Sequence, residues 1–200
     1  MIYDALKFIQ DSFNEYLSDI EDPLSSEAVM VLANIALAAE MGGGEEKLDD
    51  KIVMSLVNIQ EEASLKNNAH YRYERGSVTY QNPSINLNLY VLFSAVNNNQ
   101  TYDKSLKRLS RVIEFFQWQK EFAFWVTPPG TGGPPPQSQQ VKVYADLYTL
   151  TFEQLNHLWG ALGGKQVPFV LYKLRVATLT APKIEGEGAV ITELVINGDP

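Results

Sequence analysis

The sequence predicts an α+β fold: a single domain in which a mixed or antiparallel sheet is packed by two to three amphipathic helices. Residues 82–95 carry apolar side chains at every second position, which is the repeat of a strand. Residues 2–20 and 102–117 carry them at spacings of three and four, which is the repeat of an amphipathic helix. A chain of 200 residues that is 45% hydrophobic and 20% charged suits one domain with a substantial core.

The strand at residues 82–95 is the element around which the rest of the chain is arranged. Alternate residues from Ile85 to Phe93 give one uniformly apolar face, whereas the opposite face begins with Asn86 and Asn88 and then becomes apolar. The strand should therefore begin with one face in water and continue between two covered faces. This pattern predicts a central position in the sheet.

The chain before this strand is predicted to form one helix and two strands. Residues 2–20 place their apolar side chains on one stripe, and an Asp-Pro pair ends the helix. Residues 27–35 contain enough β-branched side chains to favour a strand, although alanines interrupt them. Residues 51–59 are apolar on both faces, which predicts a strand covered above and below and paired with residues 82–95.

Three connecting stretches carry residue types that also occur in functional sites. Residues 42–50 combine three glycines with four acids, but without the spacing of a calcium loop a solvated connection is favoured over a cation site. Residues 70–76 mix tyrosines with arginines; the acidic net charge favours a protein contact over base stacking. Residues 127–140 are rich in Pro and Gly, which predicts an exposed loop within the domain rather than a polyproline ligand.

The second predicted helix covers residues 102–117. Five apolar side chains share one face, and the basic side chains lie mostly on the opposite face, where a solvated surface is favoured over a binding patch. The apolar residues are Leu106, Leu109, Val112, Ile113 and Phe116. The aromatic-dense residues 118–125 follow this helix, and aromatic side chains of this kind are frequent at protein interfaces.

A third helix is predicted over residues 152–162. Thr151 and Gln154 have the spacing of a capping box at its start. Gly163 and Gly164 should form its C-terminal cap and turn. A phosphate loop is disfavoured there because the glycines follow a helix instead of opening one, and no Ser or Thr follows the lysine.

Three further strands complete the predicted sheet. Residues 141–148 alternate between apolar and polar side chains, which predicts a strand with one polar face. Residues 169–179 follow a proline and predict another strand, and residues 189–196 predict a short final one.

Composition narrows the classes of function. The 24 acidic against 16 basic side chains give a net charge of −8, which disfavours nucleic acid and anionic membranes as partners. The absence of cysteine excludes disulfides, thiolate metal sites and thiol redox chemistry. No run approaches the about 18 apolar residues of a membrane span, and the first residues lack the apolar run of a secretion signal. We therefore expect neither a signal peptide nor a membrane anchor.

No catalytic arrangement is evident in the sequence. His70 and His157 lie far apart and have no metal-ligand pattern around them. The acid pairs at residues 49–50 and 61–62 are neighbours in sequence, and neighbouring side chains tend to point apart. We therefore predict no catalytic, cofactor-binding or metal site and no cofactor. A carboxylate-based hydrolase assembled only in three dimensions stays a remote alternative.

Five blocks of sequence, in a fixed order along the chain, carry a family resemblance. They are residues 1–8, 55–62, 82–95, 109–117 and 150–164, the last followed by residues 168–176. Together they resemble the tail-terminator, or cap, proteins of phage-tail-like contractile injection systems. The resemblance extends over roughly residues 1–180, and five collinear blocks are much more specific than one.

The resemblance implies a structural protein and not an enzyme. Such a protein assembles as a hexameric ring at the end of the tail distal to the baseplate, where it closes the inner tube and anchors the last sheath ring. Its expected partners are other copies of itself and the tube and sheath proteins, with no nucleic acid and no membrane. It would be cytoplasmic at assembly and then part of the particle. A baseplate or connector component is the alternative.

The resemblance also implies a division of the chain. Residues 1–180 would form the cap domain, with the Pro/Gly-rich residues 127–140 as a loop within it, and residues 181–200 would form a C-terminal arm. The family has no catalytic residues that could be transferred to this sequence.

Overall fold

The computed structural model describes three helices and nine strands. It covers residues 1–20, 29–37, 48, 50–62, 71–74, 77–81, 85–96, 101–126, 139–179 and 184–189. The helices are α1 (Ile2–Ile20), α2 (Tyr102–Trp118) and α3 (Phe152–Ala161). The strands are β1 (Met30–Leu32), β2 (Ile52–Glu61), β3 (Tyr71–Glu74), β4 (Ser77–Gln81), β5 (Ile85–Ala95), β6 (Glu121–Val126), β7 (Gln139–Leu147), β8 (Phe169–Leu179) and β9 (Ile184–Ala189).

The main sheet has the strand order β1-β2-β5-β8-β7-β6. β1 and β2 are parallel, whereas all other neighbours in this sheet are antiparallel. The strand predicted to be central is β5, which pairs with β2 on one side and β8 on the other. The mixed sheet and its three helices confirm the predicted α+β class.

A second sheet contains three strands in the order β3-β4-β9. Along the chain, β3 follows β2, β4 precedes β5 and β9 follows β8. The order β3-β4-β9 therefore matches the order β2-β5-β8 of the strands in the main sheet that adjoin them in sequence. Residues 70–76 were expected to form a connection, but residues 71–74 form β3, which pairs with β4.

The last strand in the described part of the chain begins earlier than expected. It is β9, and of the predicted strand at residues 189–196 only Ala189 belongs to it, while residues 190–196 lie outside the described residues. Gly186 and Gly188 suggested a turn, but they pair with Tyr80 and Val78. β9 lies at the edge of its sheet, and an edge position tolerates glycines that would weaken a central strand.

The helices cover both faces of the main sheet. Leu89, Val91 and Phe93 of β5 are fully buried on the side of α1 and α2. Leu92 points to the opposite face, where it packs in one cluster with Trp159 of α3. The C-terminal half of β5 therefore has two covered faces, as its sequence predicted.

Two details of burial differ from the sequence expectation. Asn88 was expected on a wet face but is buried, and its Nδ2 donates a hydrogen bond of 2.9 Å to the Glu62 carboxylate. In β2, residues 52–55 are buried but residues 58–61 are exposed, so this strand is covered on both faces only in its first half. The α3 cluster reaches Val53 and not the far end of the strand, which explains the change.

Helix α2 is rotated relative to the predicted apolar face. Leu106 and Ile113 are 42% and 40% exposed, while the buried side chains are Ser105, Val112, Phe115 and Phe116. Phe115 was not assigned to the core, yet its ring lies edge-on to Phe13 of α1 at 5.4 Å between ring centroids. The packing of α2 against α1 therefore determines which face of α2 is buried.

Several predicted segments fall partly or wholly outside the described residues. The strand predicted at residues 27–35 contains only β1, followed by a 3-10 turn at Ile35–Leu37, and residues 27–28 are not described. The acidic connection is described only at residues 48 and 50. Residues 127–138 of the Pro/Gly-rich loop are outside the description, and residues 139–140 belong to β7.

Candidate assembly interface

Helix α1 closes one edge of the main sheet at β1. Asn14 Oδ1 accepts hydrogen bonds from the backbone N–H groups of Val29 and Met30, at 3.0 and 2.9 Å. The side-chain amides of Gln10 and Asn14 both donate to the carbonyl of Met30, at 3.0 and 3.1 Å. Gln10 and Asn14 meet the same strand because residues four apart share one face of a helix. The backbone groups of Met30 that face away from β2 are thus fully bonded.

The opposite edge, at β6, is open. The backbone N–H of Ala145 in β7 donates to the carbonyl of Lys120 at 2.9 Å, and hydrogen-bonded pairs alternate along an antiparallel ladder. Phe122 and Phe124 therefore bond to β7. The backbone groups of the alternate residues, Glu121, Ala123 and Trp125, face away from the sheet. Among the described residues, the one partner found for these outward groups is the Gln119 side-chain amide, 3.4 Å from the carbonyl of Glu121.

The side chains of β6 separate into core and surface. Phe122 and Phe124 are buried, and the ring of Phe124 stacks on Phe8 of α1 at 5.0 Å. Trp125 points to the other face and is 68% exposed. Trp118, at the end of α2, is equally exposed and stacks on Tyr16 of α1 at 5.5 Å. The aromatic-dense segment thus supplies two core side chains and two exposed tryptophans, the residue type most enriched at binding hot spots.

The sheet face that carries Trp125 is exposed and charged on β6, β7 and the middle of β8. Lys142 Nζ lies 2.9 Å from Glu121, and Arg175 lies 3.0 Å from Asp146. The hydrogen bond and the negative charge of Glu121 raise the pKa of Lys142. The Arg175 guanidinium also lies over the ring of Tyr144, 5.9 Å from its centroid. Charges of both signs therefore alternate on this face.

A groove of about 240 Å³ lies between the end of α2 and the strands β7 and β8. Its lining includes the partly exposed Ile113, the exposed Leu147 and the buried Tyr172. Burial raises the pKa of Tyr172 above its ordinary value. The lining holds one cation, Lys120, and one acid, Asp146, and no histidine.

The residues considered for chemistry are not gathered into a site within the described structure. His157 is exposed on α3, 3.9 Å from Glu153 one turn earlier, as expected of a solvated helix face. Glu62 bonds to Asn88, and His70 and Asp49 lie outside the described residues. No group of three or more His, Asp or Glu side chains in the described part of the chain could hold a metal ion.

None of the helices that the structure describes is both long enough and apolar enough to cross a membrane.

These features define an α+β domain with one closed and one open sheet edge and with exposed aromatic side chains beside the open edge, as in a subunit of a larger assembly. The chain belongs to the Pvc16 N-terminal domain family, whose model matches residues 5–193. The match confirms the resemblance carried by the five sequence blocks.

Solved structures of similar fold include a sheath/tube terminator of an extracellular contractile injection system, PVC, in its extended state. The TM-score is 0.64 at 13% identity, and the alignment covers 100% of this chain and 64% of that chain. The anti-feeding prophage tube-terminating cap aligns with a TM-score of 0.44 at 16% identity, covering 75% of this chain and 50% of that chain. This chain thus spans less than two thirds of the terminator. No curated protein matches the sequence.

Proposed function

We propose that this protein is a structural terminator that closes the distal end of the inner tube and anchors the last sheath ring of a contractile injection system. The observation that carries the proposal is membership of the Pvc16 N-terminal domain family over residues 5–193. The similarity of fold to the PVC sheath/tube terminator supports it. No observation favours the alternative of a baseplate or connector component.

The surface of the domain is suited to this role. A ring requires two different surfaces of one chain to meet, and the two sheet edges are different: β1 is closed by Gln10 and Asn14, and β6 is open. Trp118 and Trp125 provide exposed aromatic surface near the open edge. We therefore propose a hexameric ring that binds tube and sheath proteins and has no catalytic activity.

The proposal includes the division of the chain and its location. Residues 1–180 form the cap domain and residues 181–200 a C-terminal arm, although β9 within the arm pairs with β4. The protein assembles in the cytoplasm and then becomes part of the particle.

The proposal is tested by deleting the gene from a producing strain and imaging the particles. Without a terminator, tube length is uncontrolled or sheaths fail to stay attached, and a plasmid copy of the wild-type gene restores capped particles. Capped particles of uniform length in the deletion strain would refute the proposal. Sedimentation of the purified chain provides a separate measurement, since a hexamer and a monomer differ sixfold in mass.

A further inference from the structure

The outer surface of α1 carries a row of acids, here called the acidic row. Asp11, Glu15 and Asp19 are exposed and follow one another at intervals of four residues, so they lie on one face of the helix over about 12 Å. Lys7 bonds to Asp11 at 2.8 Å, but in the described part of the chain no cation pairs with the carboxylates of Glu15 and Asp19. The acidic row therefore presents negative charge to the solvent.

Helix α2 carries a row of cations on its N-terminal half, here called the cationic row. Spacings of three and four residues place its members along one side of the helix over about 10 Å. Lys104 and Lys107 are exposed, and neither has an ion-pair partner among the described residues, whereas Arg111 bonds to Glu114 at 2.8 Å. The helix has four cations against two acids, although the net charge of the chain is −8. The members of the row are Lys104, Lys107, Arg108 and Arg111.

The ends of the two rows lie where they do not stabilise their own helices. Asp19 is in the last turn of α1, and Lys104 is in the first turn of α2. A helix dipole is negative at its C-terminal end and positive at its N-terminal end, so it disfavours both charges at these positions. No ion pair joins the described residues of α1 to those of α2, so the rows do not neutralise each other within one chain. A partner of opposite charge would stabilise each row.

We propose that the acidic row of one copy of this chain binds the cationic row of the next copy in the ring. The rows have opposite charge and similar length, and they lie on different helices, which provides the contact between two different surfaces that a ring requires. The cations of α2 alone favoured a solvated surface, and the complementary row on α1 is the observation that favours a second copy as the partner. The inference rests on the proposed ring, and it defines a subunit contact within it.

Charge reversal of each row tests the contact in the full-length protein. Glu15→Lys with Asp19→Lys reverses the acidic row, and Lys104→Glu with Lys107→Glu reverses the cationic row. We expect each reversed protein to lose the ring and to sediment as a monomer, because like charges then meet at the contact. The melting temperature should not fall, since the substitutions are exposed and the dipoles favour the new charges at positions 19 and 104. Glu153→Lys, on the exposed start of α3, is the matched control and should keep the ring.

Mixing the two reversed proteins identifies the partner. One protein has two cationic rows and the other has two acidic rows, so opposite charges meet at every contact of a ring in which the two proteins alternate. A hexamer has the even number of subunits that alternation requires. We therefore expect an equimolar mixture of the two monomeric proteins to form rings that contain both in equal amounts. A chain with all four substitutions should form rings without a partner, because both of its rows are reversed.

Three results would overturn the proposal. Rings that persist in each reversed protein would exclude this contact and leave the terminator function standing. Folded, monomeric reversed proteins that form no ring on mixing would show that the rows bind another protein of the particle or act within one chain. A monomeric wild-type chain would overturn the ring and the contact together, whereas the terminator function is decided separately by the particles of the deletion strain.

Discussion

Asn14 is the side chain through which α1 closes the β1 edge, and Asn14→Ala measures how much this closure stabilises the fold. The amide accepts hydrogen bonds from the N–H groups of Val29 and Met30 and donates one to the carbonyl of Met30. Three hydrogen bonds at about 1 kcal/mol each amount to about 3 kcal/mol. Alanine regains roughly 0.6 kcal/mol through its better helix propensity. We therefore expect a net loss of about 2–3 kcal/mol in the free energy of unfolding.

Urea unfolding followed by circular dichroism provides the measurement. For an m value of about 2 kcal/mol/M, the expected loss lowers the midpoint by about 1 M without changing m. Asn156→Ala in α3 is the matched control, because it is the same substitution at an exposed helical position without a hydrogen-bond partner in the described structure. A midpoint for Asn14→Ala that equals the control midpoint would refute the view that the amide closes the edge.

Three further predictions concern the core, a helix cap and a buried tyrosine. Leu89→Asp places a carboxylate without a partner at a fully buried position of β5, so we expect several kcal/mol of destabilisation and insoluble protein. A soluble variant that melts cooperatively would contradict the central position of this strand. Thr151→Ala removes the hydroxyl that accepts from the Gln154 N–H and should lower the unfolding free energy by about 1 kcal/mol, measured in urea against the exposed control Thr149→Ala. Burial raises the pKa of Tyr172 in the folded protein, so the neutral hydroxyl contributes stability that is fully present below about pH 10 and is lost as pH rises through the folded-state pKa. Tyr172→Phe cannot ionise at this position, so its free energy of unfolding should fall less than that of the wild type over this pH range. Identical dependence of the unfolding free energy on pH in the two proteins would contradict the shift.

Local patterns were sufficient to predict several elements. The period-two alternation identified β5 and its central position, and the spacing of three and four gave the bounds of α1. The capping box is present with both hydrogen bonds, between the Thr151 hydroxyl and the Gln154 N–H and between the Gln154 side chain and the Thr151 N–H. Gly163 and Gly164 have positive φ, as the predicted C-terminal turn requires. These features depend on residues close together in the chain.

Features that depend on distant residues were not predictable from the sequence. The buried face of α2 depends on the contact of Phe115 with Phe13, which no spacing within α2 indicates. The state of the two sheet edges depends on Asn14 reaching Met30, sixteen residues away, and on the strand order. One signal for the candidate interface was available in the sequence: the aromatic-dense residues 118–125 include most of β6, the open edge strand.

The closed edge has a consequence for the size of the proposed ring. If both β1 and β6 could accept strands, one copy could bind two donors, and the assembly could branch or stack without limit. Because Gln10 and Asn14 bond the outward backbone groups of Met30, the β1 edge is less available to an added strand than the β6 edge. A ring built from one pair of different surfaces grows as a head-to-tail series, which ends only when the rotation between copies closes it. Asn14→Ala should then do more than lower stability: by reopening β1 it should produce species larger than the wild-type ring in sedimentation.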